Sequence, residues 1–290
     1  MPIATVVPAS DRSSVPLATT GPILVACDGA PASTEALFTA ARVAQRTTTG
    51  AVQVVGVCEP TPAIAAGAEV VIAPQEFETL RQETLLEDIR RVVSSSAEGD
   101  PRWPVEVIIG APARTLAVTA RTRQAAMLVM GIGRHNPVDR LFGAETTLAT
   151  VRESSVPVLA VGAHFPSEPT HAVVGMDFGA SSLAAARLAM QLVGPRGHLT
   201  LVHVRPRFEH PSADWQEWDV EYGRTLPPLF DRMRTTLAPP ATLTLDTSVV
   251  RGDPAPSLLA VAQQAHADFV ALGTQHHTLM ERLMVGSVAT

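Results

Sequence analysis

One spacing occurs twice in this chain: Gly110 and Gly131 stand 21 positions apart, and so do Gly252 and Gly273. Laid over one another without a gap, the two stretches share Gly, Pro, Ala, Leu, Ala, Ala and Gly at matching places, from Gly110, Pro112 and Ala113 onward in one and from Gly252, Pro254 and Ala255 in the other. Each copy reads as turn, amphipathic helix, buried strand and closing glycine. A repeat unit of well over a hundred residues is a duplicated domain, not a solenoid. A length of 290 residues fits two domains. Strands that alternate with helices require a parallel sheet with right-handed crossovers. With 46% hydrophobic and 4% aromatic residues, Ala and Val dominate, which suits parallel strands covered by helices.

Residues 1–20 hold several prolines and Ser/Thr, with no basic start before an apolar stretch, and read as a flexible arm. The first domain, 21–163, opens with the strand Ile23–Cys27, ended by Asp28-Gly29, and an Ala-rich helix reaching Arg46. Strands follow at Val52–Cys58, Val105–Ile109, Met127–Met130 and Val158–Val161, with helices at Gln75–Ser95 and Arg114–Arg123 and another before the last strand. A linker at 164–170 precedes the second domain, 171–290, where the pattern restarts. His171–Met176 ends at Asp177, Ser181 and Ser182 are placed to cap the next helix, and Leu199–Val204 is the second strand. Between Phe208 and Pro240 the halves differ: Trp215, Trp218 and Tyr222 cluster there, and Pro227-Pro228 is expected to interrupt any helix.

The loop after Phe269–Leu272 carries the chemistry. It reads Gly273-Thr274-Gln275-His276, nine residues, then Gly286-Ser287. Glycine at a strand exit lets backbone amides face outward, and Gly-Ser at a helix start adds amides and a hydroxyl, a combination suited to phosphate. This loop, with the Gly252–Ala255 strand exit upstream and the earlier copy of the arrangement, resembles the ATP-binding loop of the universal stress protein family, Gly-x2-Gly-x9-Gly-Ser/Thr. His276 stands where the nucleotide-binding members carry their second glycine. The resemblance extends over nearly all of the chain after residue 20. It implies an α/β fold of two tandem doubly wound parallel sheets, strand order 3-2-1-4-5, with ligand at the carboxyl edge where the order switches.

By position, the resemblance assigns nucleotide contacts to Asp177, Val204, Gly273, His276, Gly286 and Ser287 in the second half, and to Asp28, Val57, Gly131 and Arg134 in the first. A carboxylate accepts a ribose or adenine hydrogen bond, valine walls the base, and glycines expose amides to phosphate. The implied ligand is ATP, with Mg, or AMP. In the first half Arg134 replaces the second loop glycine, and Gly143-Ala144 or Ala144-Glu145 takes the place of Gly-Ser, so that half is expected to bind no ATP or a different ligand. In the second, four residues follow Gly286, against eighteen from Gly143 to Val161. The second sheet is therefore expected to lack its last helix and strand, leaving four strands and an apolar edge at Phe269–Leu272, exposed or covered by another segment.

A net charge of −6 argues against a nucleic-acid surface, and no run of 18 apolar residues offers a membrane span. Cys27 and Cys58, both in apolar runs, read as buried reduced thiols of a cytoplasmic protein. No nucleophile–base pairing is legible, and His266, His276 and His277 lack metal-site spacing. The resulting expectation is a stress-response binding or signalling module, its halves packed as an intramolecular pseudo-dimer, with a homodimer also open and no assigned protein partner. Two alternatives stand beside it. One is a nucleotide hydrolase or adenylylating enzyme of a related fold. The other is an interaction protein without nucleotide that uses the Trp215–Tyr222 segment.

Overall fold

A computed structural model describes residues 5–7, 21–45, 51–60, 74–96, 99–132, 140–162, 165–166, 168–207 and 213–274. The chain groups into two compact units, one over Pro16–Ser167 and the other over Glu168–Thr290 together with Ile3–Val15. The N-terminal strand β1 (Thr5–Val7) belongs to the second unit.

In the first unit the elements are β2 (Ile23–Ala26), α1 (Pro31–Gln45), β3 (Val52–Cys58), α2 (Pro74–Ser95), β4 (Val105–Ile109), α3 (Pro112–Thr122), β5 (Met127–Gly131), α4 (Arg140–Glu153) and β6 (Val158–Val161). The strands form a parallel sheet in the order β4-β3-β2-β5-β6, which is 3-2-1-4-5 within the unit. Helices over both faces leave no side of β6 for water: its four residues are all buried, as are the first four of β5. Edge strand β4 alternates more and leaves Ile109 41% exposed. Because α4 begins at Arg140, Gly143, Ala144 and Glu145 are helical residues, not loop.

The second unit repeats the order of elements with β7 (His171–Gly175), α5 (Ala180–Val193), β8 (His198–Arg205), α6 (Ala213–Leu237), β9 (Thr244–Arg251), α7 (Pro254–Gln264) and β10 (Phe269–Ala271). The strands of its own segment run β10-β7-β8-β9, all parallel. Beside β10, where β6 lies beside β5 in the first unit, stands β1, in parallel register Thr5↔Val270 and Val6↔Ala271. The apolar edge expected to be open or covered is thus covered, and the arm expected to be flexible supplies the strand. Among the described residues no strand follows β10.

One face of this sheet packs on α7: Val173, Val202, Leu258, Ala262, Ala267 and Val270 form a buried cluster, with Val204, Val250, Val261 and Leu272 around it. Burying a Val or Leu side chain contributes about 1.5–3 kcal/mol. The other face packs on α5 and α6 through residues of opposite pleat parity.

Two local expectations are corrected. Pro227 and Pro228 lie inside α6, which continues through them to Leu237. Proline removes an amide donor and crowds the carbonyl four residues back, at a cost of about 3 kcal/mol. The helix persists because Leu226, Phe230, Met233 and Leu237 are all buried along one stripe of it. Ser181 and Ser182 are not caps: Gly179 is the N-cap without a side-chain bond, and both serines are buried within α5. Cys27 and Cys58 are free and buried, and burial pushes the Cys27 thiol up despite hydrogen bonds from Gly29 and Ser33 that pull it down. No described helix is long and apolar enough to cross a membrane.

Candidate functional site

Strand β7 is central to the second sheet. From it the chain moves one way through β8 and β9, and α7 then returns it to β10 on the opposite side. The sheet order switches between β7 and β10, and loops leaving the two strands diverge there. Asp177 leaves β7 and Gly273 leaves β10, so these two residues stand on the two sides of the switch point. Val204, paired with Val250 near the end of β8, adds a half-buried apolar surface that packs on the α7 cluster. The first unit repeats this placement with Asp28 after β2, Gly131 closing β5 and Val57 near the end of β3. His276, Gly286, Ser287 and Arg134 lie outside the described residues.

Gly273 is glycine for a packing reason. A Cβ there would stand 2.4 Å from the Ser181 carbonyl carbon and 2.5 Å from the Ser182 amide nitrogen. The exit of β10 therefore rests directly against the first turn of α5, where amides without intrahelical partners give a partial positive charge. Asp177 is exposed, and its Oδ1 accepts the Gly179 N–H at 2.9 Å. In the first unit Asp28 Oδ1 accepts from both Ala30 N (2.9 Å) and Ser33 Oγ (2.5 Å). Ser182, at the place of Ser33, donates instead to the Gly179 carbonyl at 3.1 Å. The two carboxylates match in position, while Ser33 turns to its carboxylate and Ser182 to a backbone carbonyl.

Phe178, directly after Asp177, has φ of 64°, a left-handed value, and Gly29 after Asp28 has φ of 76°. The turn after the first strand of each unit requires this conformation, which a non-glycine residue adopts at a cost of about 1–2 kcal/mol. Packing holds Phe178 in it. Its ring lies 4.9 Å from that of His203 and 5.0 Å, edge-on, from Phe230. His203, buried on β8, has Nδ1 at 2.7 Å from the Met176 carbonyl and Nε2 at 2.8 Å from the Tyr222 hydroxyl. The carbonyl can only accept, so Nδ1 carries a proton and donates to it. Trp218, 46% exposed, stacks on Tyr222 with centroids 5.0 Å apart. The aromatic segment on α6 thus braces the Asp177 turn from behind. Sequence reading missed Phe178 and His203; the visible signal was the exchange of Gly29 for Phe178 between aligned Asp-x turns.

Chemically, the edge offers an acceptor carboxylate, an apolar wall and backbone donors at a helix start, which is a binding inventory. Among the described residues no three His, Cys, Asp or Glu side chains gather as metal ligands.

Two solved structures share this fold over most of the chain. A universal stress protein from Archaeoglobus fulgidus DSM 4304 is 15% identical and superimposes over 92% of each chain with a TM-score of 0.59. A functionally unknown protein from Pseudomonas aeruginosa PAO1 is 13% identical over 93% of this chain and 88% of that one, with a TM-score of 0.54. A universal stress protein in complex with cAMP, 21% identical, aligns with 49% of this chain and 96% of its own, with a TM-score of 0.34. No curated protein sequence matches. The model of the universal stress protein family matches twice, at residues 19–162 and again at 169–290. Two matched copies, on two sheets of the same parallel order, make this chain a tandem member of the universal stress protein family.

Proposed function

We propose that the protein is a stress-response module that binds an adenine nucleotide, ATP with Mg or AMP, at the carboxyl edge of its second unit. The observation that carries the reading is the placement of Asp177 and Gly273 on neighbouring strands across the switch point, with Gly273 against the first turn of α5. In this reading Asp177 accepts a hydrogen bond from the ribose and Val204 lies against the base. Gly273, His276, Gly286 and Ser287 are assigned the phosphate side. The proposed role is binding or signalling, supported by the carboxylate acceptor, apolar wall and helix-start amides at this edge. In the first unit Arg134 stands at the second loop glycine, so Asp28, Val57, Gly131 and Arg134 are proposed to hold no ATP or a different ligand. Buried free Cys27 and Cys58 support placing the protein in the reducing cytoplasm.

Calorimetric titration of the full chain with ATP and with AMP tests the reading. Saturable heat that weakens by about 10–100-fold in Asp177→Ala is expected, since losing one charged hydrogen bond costs about 1.5–3 kcal/mol. Absence of heat at millimolar nucleotide, or an unchanged Asp177→Ala isotherm, contradicts it.

A further inference from the structure

Away from the Asp177 edge, the second unit has a groove of about 350 Å³ between α6 and the strands β8 and β9. That volume lies in the range of about 300–1,000 Å³ typical of small-ligand sites. Leu226 and Phe230, both buried on α6, and Val249, 43% exposed on β9, give it apolar walls. Arg205 closes one end. As the last residue of β8 it points to the α6 side, opposite Val204, and is only 8% exposed.

A buried guanidinium requires acceptors for its donors. Arg205 Nη2 donates to the backbone carbonyl and Oδ1 of Asp219, and the guanidinium carbon sits 5.3 Å from the Tyr222 ring centroid. The Nε is buried and has no acceptor among the described residues. The second oxygen of Asp219 is taken by Arg251. Two guanidiniums therefore share one carboxylate, which leaves an excess positive charge beside an apolar channel. Arg234 and Asp231 line the groove farther along α6 and offset one another in charge. The close approach of Arg205 depends on Gly223, where a Cβ would lie 3.2 Å from Nη1.

We propose that this groove binds a small amphiphilic carboxylate, an alkyl or aryl carboxylic acid. Its anionic head is drawn to the excess positive charge of the Arg205–Asp219–Arg251 cluster, and its apolar body lies on Leu226, Phe230 and Val249. A phosphate-rich ligand fits less well, because the cluster has one net positive charge and most of the lining is apolar. The site is separate from the nucleotide reading and does not rest on it.

The test is a titration of the full chain with octanoate, followed through Trp218 emission in a background carrying both Trp103→Phe and Trp215→Phe, with octanol as the uncharged control. Trp218 is a near reporter because it stacks on Tyr222, which lies against Arg205. Octanoate is expected to saturate the signal, with octanol at least about tenfold weaker. Thr247→Phe, which fills the groove from β9 without touching the ion cluster, is expected to weaken octanoate by about tenfold or more, and Arg205→Met likewise. Asp177→Ala is expected to leave it unchanged. Equal binding of octanol, wild-type affinity in Thr247→Phe, or no saturation at millimolar octanoate overturns the proposal. If Arg205→Met fails to fold, the octanol and Thr247→Phe arms still decide.

Discussion

Phe178 holds a backbone conformation that its counterpart in the first unit reaches as glycine. Replacing Phe178 with Ala or with Gly removes the same ring contacts to His203 and Phe230, but only Gly also relieves the left-handed strain. Phe178→Gly is therefore expected to be about 1 kcal/mol more stable than Phe178→Ala in chemical denaturation, the reverse of the usual ranking of the two residues. Equal stabilities would show that the turn carries no strain. A second residue-scale effect concerns His171, stacked on His198 with centroids 4.0 Å apart at the start of β7 and β8. Its Nδ1 faces the Ala265 carbonyl at 3.0 Å and its Nε2 the Thr200 hydroxyl at 2.9 Å, a neutral arrangement with Nδ1 protonated. Burial, and then repulsion from His198, hold its pKa below the ordinary imidazole value, against the Ala265 bond and the Asp268 and Asp246 carboxylates. A base depressed in the fold takes its proton more readily when unfolded. The stabilising contribution is thus full above the unfolded value of about 6.5 and is lost as pH falls from there through the folded pKa. Calorimetric melting between pH 7 and pH 5 is expected to show the second unit losing stability, and His171→Gln to flatten that slope.

At the scale of elements, the strand β1 changes how the second sheet ends. It occupies the place beside β10 that β6 occupies beside β5. Without it, β10 would present an apolar strand with unpaired backbone groups, the kind of edge that recruits other chains. Deleting residues 1–10 is expected to lower the melting temperature of the second unit and to raise self-association by sedimentation. A Trp103→Phe background leaves Trp215 and Trp218 on α6 as reporters of that unit alone. Unchanged melting and a monomeric deletion variant would show that β1 contributes nothing. Most strands were legible in the sequence because buried parallel strands are short contiguous apolar runs bounded by turn residues. The observed β3, β4 and β6 have the bounds read from sequence. Three residues of β1 are too few to carry a periodic signal, and their partner lies 265 positions away along the chain at Val270, where local pattern says nothing. The continuity of α6 through Pro227-Pro228 was illegible for a related reason: its stripe of buried side chains outweighs local propensity only once the sheet beneath it exists.

At the scale of the whole molecule, the two units present carboxyl edges of the same plan and different detail. Asp28, Val57 and Gly131 in one unit, and Asp177, Val204 and Gly273 in the other, were assigned in the sequence by the family resemblance, and the structure places each of them at or near a strand exit. The features that separate the copies were not legible there, since they depend on contacts across elements: Ser33 on Asp28, the Ser182 hydroxyl turned to Gly179, and the ring of Phe178 held by His203 and Phe230. The central claim is that the asymmetry is functional and that only the second copy takes nucleotide. Native mass spectrometry of the full chain with ATP tests it most directly. The expected result is one nucleotide per chain, lost in Asp177→Ala and retained in Asp28→Ala; two nucleotides per chain, none, or loss in Asp28→Ala alone would contradict it.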